Sequence, residues 1–174
     1  MYKDEFRDLI IKGLKEAVPA VLKEYGDEDV YIMSLEADNT AGFDGEYDMT
    51  LYVNTEKRHA NNLKDSKDGT DPWYFRFCEC EWYIIPDPEY FEDAVNFLND
   101  GYANMNMDTV YECIVEAVEK LREEKFFESV CPHDVFFTIN ASEVFGQEDM
   151  CEFAVRMNGR EKSKDYIENA DAFL

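Results

Sequence analysis

Nine residues, EYDMTLYVN at 46–54, place the first constraint on the fold. Tyr47, Met49, Leu51 and Val53 occupy every second position, with mostly polar groups between them. A period of two sends alternate side chains to opposite faces of an extended chain, so this segment reads as a strand with one packed face and one polar face. Such a strand needs neighbours. VYIMSLEA at 30–37 is rich in β-formers and supplies one, and DNTAGFDGE between them has the Gly, Asn and Asp content of a hairpin connection.

Helical signals flank this pair. Residues 4–25 carry Phe6, Leu9, Ile10, Leu14, Ala17, Val18, Val21 and Tyr25 at spacings of three and four, the mark of one buried helix face. Pro19 is expected to kink or interrupt that helix near its last turn, and Gly26 to end it. The polar segment 55–72, which holds His59, reads as a long exposed loop with at most one helical turn. WYFRFCECEWYII at 73–85 then reads as a third strand, with Trp73, Phe75 and Phe77 on one side and Trp82 and Ile84 on the other. Pro88 opens a helix through Phe91, Val95 and Leu98. A stronger helix follows at about 108–127, with Tyr111, Val115, Val118 and Leu121 on its stripe and Asp108 or Thr109 at its N-cap. DVFFTINA at 134–141 is a fourth strand, and EDMCEFAVRMNG at 148–159 a helix stopped by Gly159.

This order predicts one α+β domain over residues 1–174, with a single mainly antiparallel sheet of four or more strands covered by helices. The length suits one domain, and 45% hydrophobic and 15% aromatic residues suffice for one core. No apolar run is long enough for a membrane span. The N-terminal MYKDEFRDLI is charged from its third residue, unlike a signal peptide, so a cytoplasmic location is expected. Five cysteines, an odd number, fit reduced thiols better than a disulfide framework.

The net charge is −23, which disfavours nucleic acid and anionic membranes and favours basic partners. Its distribution is uneven. Residues 24–56 hold ten acids and residues 77–119 hold eleven, and neither run contains a Lys or an Arg. If the two runs lie side by side they make one negative face. If not, they merely coat solvent faces with acid.

Candidate chemistry is thin. Cys78 and Cys80 lack the second ligand pair that structural zinc needs. On a strand they would stand about two rises apart, ~6.6 Å, which is awkward for a disulfide. His59 reads as an exposed surface residue and His133 as a turn residue, and no GxSxG, P-loop or GxGxxG pattern is present. No catalytic residue, cofactor or metal is therefore assigned. The acidic and aromatic mixture after the cysteines is more suggestive, because rings supply desolvated contact area while carboxylates steer and pair with Lys or Arg. Glu79, Glu81, Trp82, Asp87, Glu89, Tyr90, Glu92 and Asp93 are the candidate partner-binding residues.

The runs VYIMSLEADN, LYVNTEKRHANN, ECEWYI and DVFFTINASE, followed by an acid-rich helix ending in RMNG, resemble the bacterial domain-of-unknown-function family 4303. The resemblance implies a bacterial cytoplasmic α+β domain and, by analogy, a link to the small acidic immunity proteins that accompany secreted toxins. It brings no catalytic residues. The expectation is thus a non-catalytic acidic binding protein, an immunity-type inhibitor that covers a basic toxin domain. A carboxylate- and cysteine-based metal-binding or enzymatic domain is the first alternative, and a structural homo-oligomeric domain the second.

Overall fold

The computed structural model describes residues 2–38, 47–66, 69–85, 88–100, 105–141 and 144–174. Four strands make one sheet: β1 (Val30–Asp38), β2 (Asp48–Thr55), β3 (Tyr83–Ile85) and β4 (Phe136–Ile139). Their order is β3-β2-β1-β4. β1 and β2 pair antiparallel, with Leu35 opposite Leu51, and β2 and β3 pair antiparallel, with Leu51 opposite Ile85. β1 and β4 are parallel, with Leu35 opposite Ile139. The sheet is therefore mixed, with two antiparallel pairings and one parallel. A parallel pair needs a long crossover, and the chain between β1 and β4 contains two other strands and the main helices.

These registers sort the side chains. Met33, Leu35 and Ala37, Met49, Leu51 and Val53, and Phe137 and Ile139 share the inner face and lie in the main core. The helices α1 (Tyr2–Tyr25), α2 (Glu56–Asp65), α3 (Pro72–Phe77), α4 (Glu92–Asn99), α5 (Met107–Glu123), α6 (Phe126–Val130), α7 (Gln147–Asn158) and α8 (Lys164–Glu168) surround it. α1 and α5 pack on each other and give the core Phe6, Ile10, Leu14, Val110, Ile114 and Leu121. The Tyr111 hydroxyl accepts from the Ala37 N–H at 3.3 Å and lies 2.9 and 2.7 Å from the carbonyls of Ala37 and Asn140. It ties the ends of the two parallel strands to α5.

Four expectations change. α1 runs through Pro19 without interruption. Pro19 and Lys15, whose carbonyl loses its hydrogen bond, are both exposed, so water satisfies the freed group. The expected loop at 55–72 is largely helix: α2 starts where the Thr55 side chain accepts from the Arg58 N–H at 3.0 Å. It has no fully buried residue, which is why no apolar stripe marks it. The expected strand at 73–85 is mostly helix and turn. Asp71 caps α3 by accepting from Trp73 N–H at 2.9 Å, Pro72 fits its first turn, and a 3-10 turn at Glu79–Glu81 leaves only three residues for β3. Trp73 and Phe77, four apart, stack with ring centroids 5.7 Å apart, as neighbours on one helix face do. The N-cap of α5 is Asn106, which accepts from Thr109 N–H, in place of Asp108 or Thr109.

The outer edge of β4 is paired by a side chain. Asn158 Oδ1 accepts from Phe137 N–H at 2.7 Å, and its Nδ2 donates to Phe137 C=O at 2.6 Å. The amide copies the neighbour that an edge strand lacks. Asn158→Leu strands both backbone groups, and a loss of roughly 2–5 kcal/mol in urea unfolding is expected. Gly13 offers a second check, because an added Cβ would stand 2.5 Å from the Tyr90 carbonyl and 2.7 Å from the Phe91 ring. Gly→Ala in an open helix gains about 1 kcal/mol. Here the crowding reverses the sign, and Gly13→Ala is expected to lower stability by roughly 1–3 kcal/mol in the same measurement.

Candidate functional site

The outer face of the sheet is polar because the alternate positions of its strands are polar. Ser34 and Glu36 on β1, Tyr52 and Asn54 on β2, and Thr138 on β4 share it with Ile32 and Phe136. Ser34, Asn54 and Thr138 are buried, so this face is covered, not open to solvent. The cover comes from the segment misread as a strand and from the C-terminus. Phe77, Trp82 and Tyr166 form a second apolar cluster with Tyr31, Ile32 and Ala154, and Phe173 packs against it. Asn54 fastens α3 down by donating to the Tyr31 hydroxyl at 2.8 Å and the Phe75 carbonyl at 3.0 Å.

Within this layer the 3-10 turn delivers Glu79 onto the sheet. The residue as a whole is half-buried, yet its carboxyl group is enclosed. That burial pushes its pKa up to about 8, and Glu36 nearby adds to the rise, against the lowering effect of its own backbone and of the neighbouring Ser34 hydroxyl. Glu36 accepts from the Tyr52 phenol at 2.5 Å. Burial first, and Glu36 second, raise the Tyr52 pKa, and Glu79 contributes to the same shift. The two carboxyl groups therefore differ: Glu79 holds its proton at neutral pH, beside a Glu36 held by a phenol. Two buried polar atoms in this layer, Trp82 Nε1 and Ser34 Oγ, have no geometrically sound hydrogen bond among the described residues.

The eight candidate residues are divided by the sheet. Glu79, Glu81 and Trp82 belong to the outer cover, where the Glu81 carbonyl accepts from Arg58 Nε at 2.6 Å and Asn62 Nδ2 at 3.1 Å. Trp82 is 3% exposed, so its ring is a core group and offers no contact area. Tyr90 packs against the inner core, and Asp93, on α4, pairs with Lys12 at 2.6 Å. Glu89 and Glu92 are exposed near it, and Asp87 lies outside the described residues. Sequence proximity thus grouped two surfaces as one.

The base-free runs are also less uniform in space than in sequence. Bases from elsewhere meet their acids: Lys57 at Glu28, Arg7 at Glu116, and Arg156 at both Glu112 and Glu119. The runs do meet in the sheet, where β2 pairs with β3, and Glu36 is near enough to Glu79 to raise its pKa. Reading by residue number missed Glu36, Tyr52 and Ser34. Their signal was the polar half of the alternation in the two long strands.

At the other end of the outer face a cavity of about 290 Å³ is lined by Tyr31, Arg76, Phe77, Asp134, Phe136 and Lys162, among others. Its cations are engaged, Arg76 with Glu56 at 3.1 Å and Lys162 with Asp134. His59 sits on α2 and is partly buried against the Tyr31 ring, which lowers its pKa through desolvation and corrects its reading as an exposed loop residue. His133 Nε2 lies 2.7 Å from the Val30 carbonyl, a link between the start of β1 and the approach to β4. Among the described residues no three His, Cys, Asp or Glu side chains gather as metal ligands, and no helix is long and apolar enough to cross a membrane.

A family described as a domain of unknown function (DUF4303) matches residues 10–159. No curated protein and no solved structure matches the chain.

Glu79 ties stability to pH with a definite sign. Below its unfolded pKa of 4.5 both states keep the proton; between 4.5 and about 8 only the unfolded state ionises, so stability falls as pH rises. Above about 8 the loss is complete. Glu79→Gln removes the penalty, so its stability relative to the parent is expected to climb by about 2–4 kcal/mol between about pH 5 and pH 8. Urea unfolding of both proteins across this window checks it, and a constant difference would place the Glu79 carboxyl in water.

Proposed function

The chain belongs to the DUF4303 family, and we propose that it is a non-catalytic acidic binding protein, an immunity-type inhibitor that covers a basic bacterial toxin domain. A bacterial origin and a cytoplasmic location are part of the same proposal. The observation that carries it is that Glu36 and Glu79, one from each base-free run, lie on the same outer sheet face near enough for Glu36 to raise the Glu79 pKa. On the helices, ion pairs neutralise many of the acids. On the outer face Glu36 accepts from the Tyr52 phenol and is partly exposed, near the enclosed carboxyl of Glu79. A Lys or Arg from a basic partner reaches this acidic site through the partly exposed Glu36.

One specific observation favours a second reading. A carboxyl that keeps its proton near a second carboxyl is an arrangement used in general acid–base chemistry, which makes Glu79 the candidate acid of an enzymatic alternative, with Glu36 as its neighbour. The described cavity is lined by neither residue. Binding is therefore the reading preferred.

The two readings separate in one experiment. A cation docked beside Glu79 draws its pKa down, so complex formation releases a proton near neutral pH. Affinity then rises with pH towards about 8 and levels off above it. Titration calorimetry against basic toxin domains encoded beside the gene, in two buffers of different ionisation heat, reads the proton directly. Proton release is expected in the parent and absent in Glu79→Gln, and Glu36→Gln is expected to weaken binding roughly tenfold. Failure of every such domain to bind at both low and high salt would overturn the proposal.

A further inference from the structure

Cys78 and Cys80 are set apart from the other thiols. Cys113 is part of the main core, and Cys131 and Cys151 pack against the two apolar clusters. Cys78 and Cys80 belong to neither cluster. Their sulfur atoms stand 2.8 Å apart, and the Tyr74 hydroxyl lies 3.1 Å from the sulfur of Cys80. Cys80 is exposed and Cys78 is half-buried.

The backbone explains the approach. On an extended strand two residues at i and i+2 are ~6.6 Å apart, but this segment is a 3-10 turn, closed by Glu81 N–H to Cys78 C=O at 3.2 Å and Trp82 N–H to Glu79 C=O at 3.0 Å. With a rise of only ~2.0 Å per residue, such a turn draws i and i+2 into the Cα separation that disulfides span. Nothing in the fold requires two thiols on this turn.

We propose that Cys78 and Cys80 are a thiol–disulfide site, oxidised to an intramolecular disulfide by a low-molecular-weight disulfide such as glutathione disulfide. Cys80 is the entry point because it is exposed. Its thiolate attacks one sulfur of glutathione disulfide, breaks the S–S bond and expels one glutathione thiolate, leaving a mixed disulfide on Cys80. The Cys78 sulfur then attacks the Cys80 sulfur and expels the second glutathione, which takes up the Cys78 proton. Two protein thiols are oxidised and one external disulfide is reduced to two glutathione thiols. Burial first, and the neighbouring sulfur next, push the Cys78 thiol up to about 12, so Cys78 stays protonated until the mixed disulfide has formed beside it. Glu79 is the residue enclosed in the ring that forms.

The full chain in glutathione buffers of rising oxidised fraction, quenched in acid, unfolded and alkylated with iodoacetamide and mapped by peptide mass, tests the assignment. The peptide bearing Cys78 and Cys80 is expected to lose both alkylation sites and two hydrogens, while Cys113, Cys131 and Cys151 stay alkylatable. Cys80→Ser abolishes the bond, and Cys78→Ser stops at a glutathione adduct on Cys80. Retention of both alkylation sites across the series, or a stable glutathione adduct in the parent, would overturn the proposal.

Discussion

The alternation of side chains along β1 is the constraint on which the molecule depends. Met33, Leu35 and Ala37 face the helices, while Ile32, Ser34 and Glu36 face the other way. β1 pairs with β2 on one side and β4 on the other, so its register sets both layers at once. A slip of one residue would send Glu36 into the dry core between α1 and α5 and bring Leu35 to the polar face. Burying an unpaired carboxylate there is far costlier than leaving it on a hydroxyl-lined face. One strand thus fixes where the apolar core sits and where the chemistry sits.

Charge is organised by the same division. α5 carries Glu112, Glu116 and Glu119 ahead of its first base, Lys120, and α1 and α7 bring Arg7 and Arg156 to them. These pairs are partly exposed and contribute little stability each. Their larger effect is on the field of the molecule, because they mute the acids of the helical side. On the outer sheet face Glu36 accepts from the Tyr52 phenol, and Glu79 avoids charge by keeping its proton. An overall charge of −23 therefore understates how differently the two sides present it.

Most elements were legible in the sequence, and the failures have physical causes. The period-two run at 46–54 and the three-and-four spacing of α1 and α5 found β2 and both helices, because each has a single buried face. α2 escaped because it buries no side chain fully and is held by polar contacts from Arg58 and Asn62 to the Glu81 carbonyl. The segment at 73–85 was misread because alternating rings at 73, 75 and 77 also satisfy a helix, in which Trp73 meets Phe77. Asp71 before Pro72 was the signal that would have decided it. The site was half legible for the same reason: Glu79 was found, but the turn that aims it at Glu36 was invisible while the segment was read as extended. The parallel pairing of β4 with β1 is a long-range choice that no local pattern records.

The account of binding rests on Glu36 and Glu79 acting together as one acidic site. Carbon-13 NMR of the glutamate side-chain carboxyls, followed through a titration with a lysine-rich peptide at low salt, addresses that point most directly. The expected result is that the Glu36 and Glu79 signals move together and that the Glu79 midpoint falls from about 8 as the peptide binds. Shifts confined to exposed helical acids such as Glu92 and Glu152, with Glu79 titrating near 4.5 throughout, would contradict it.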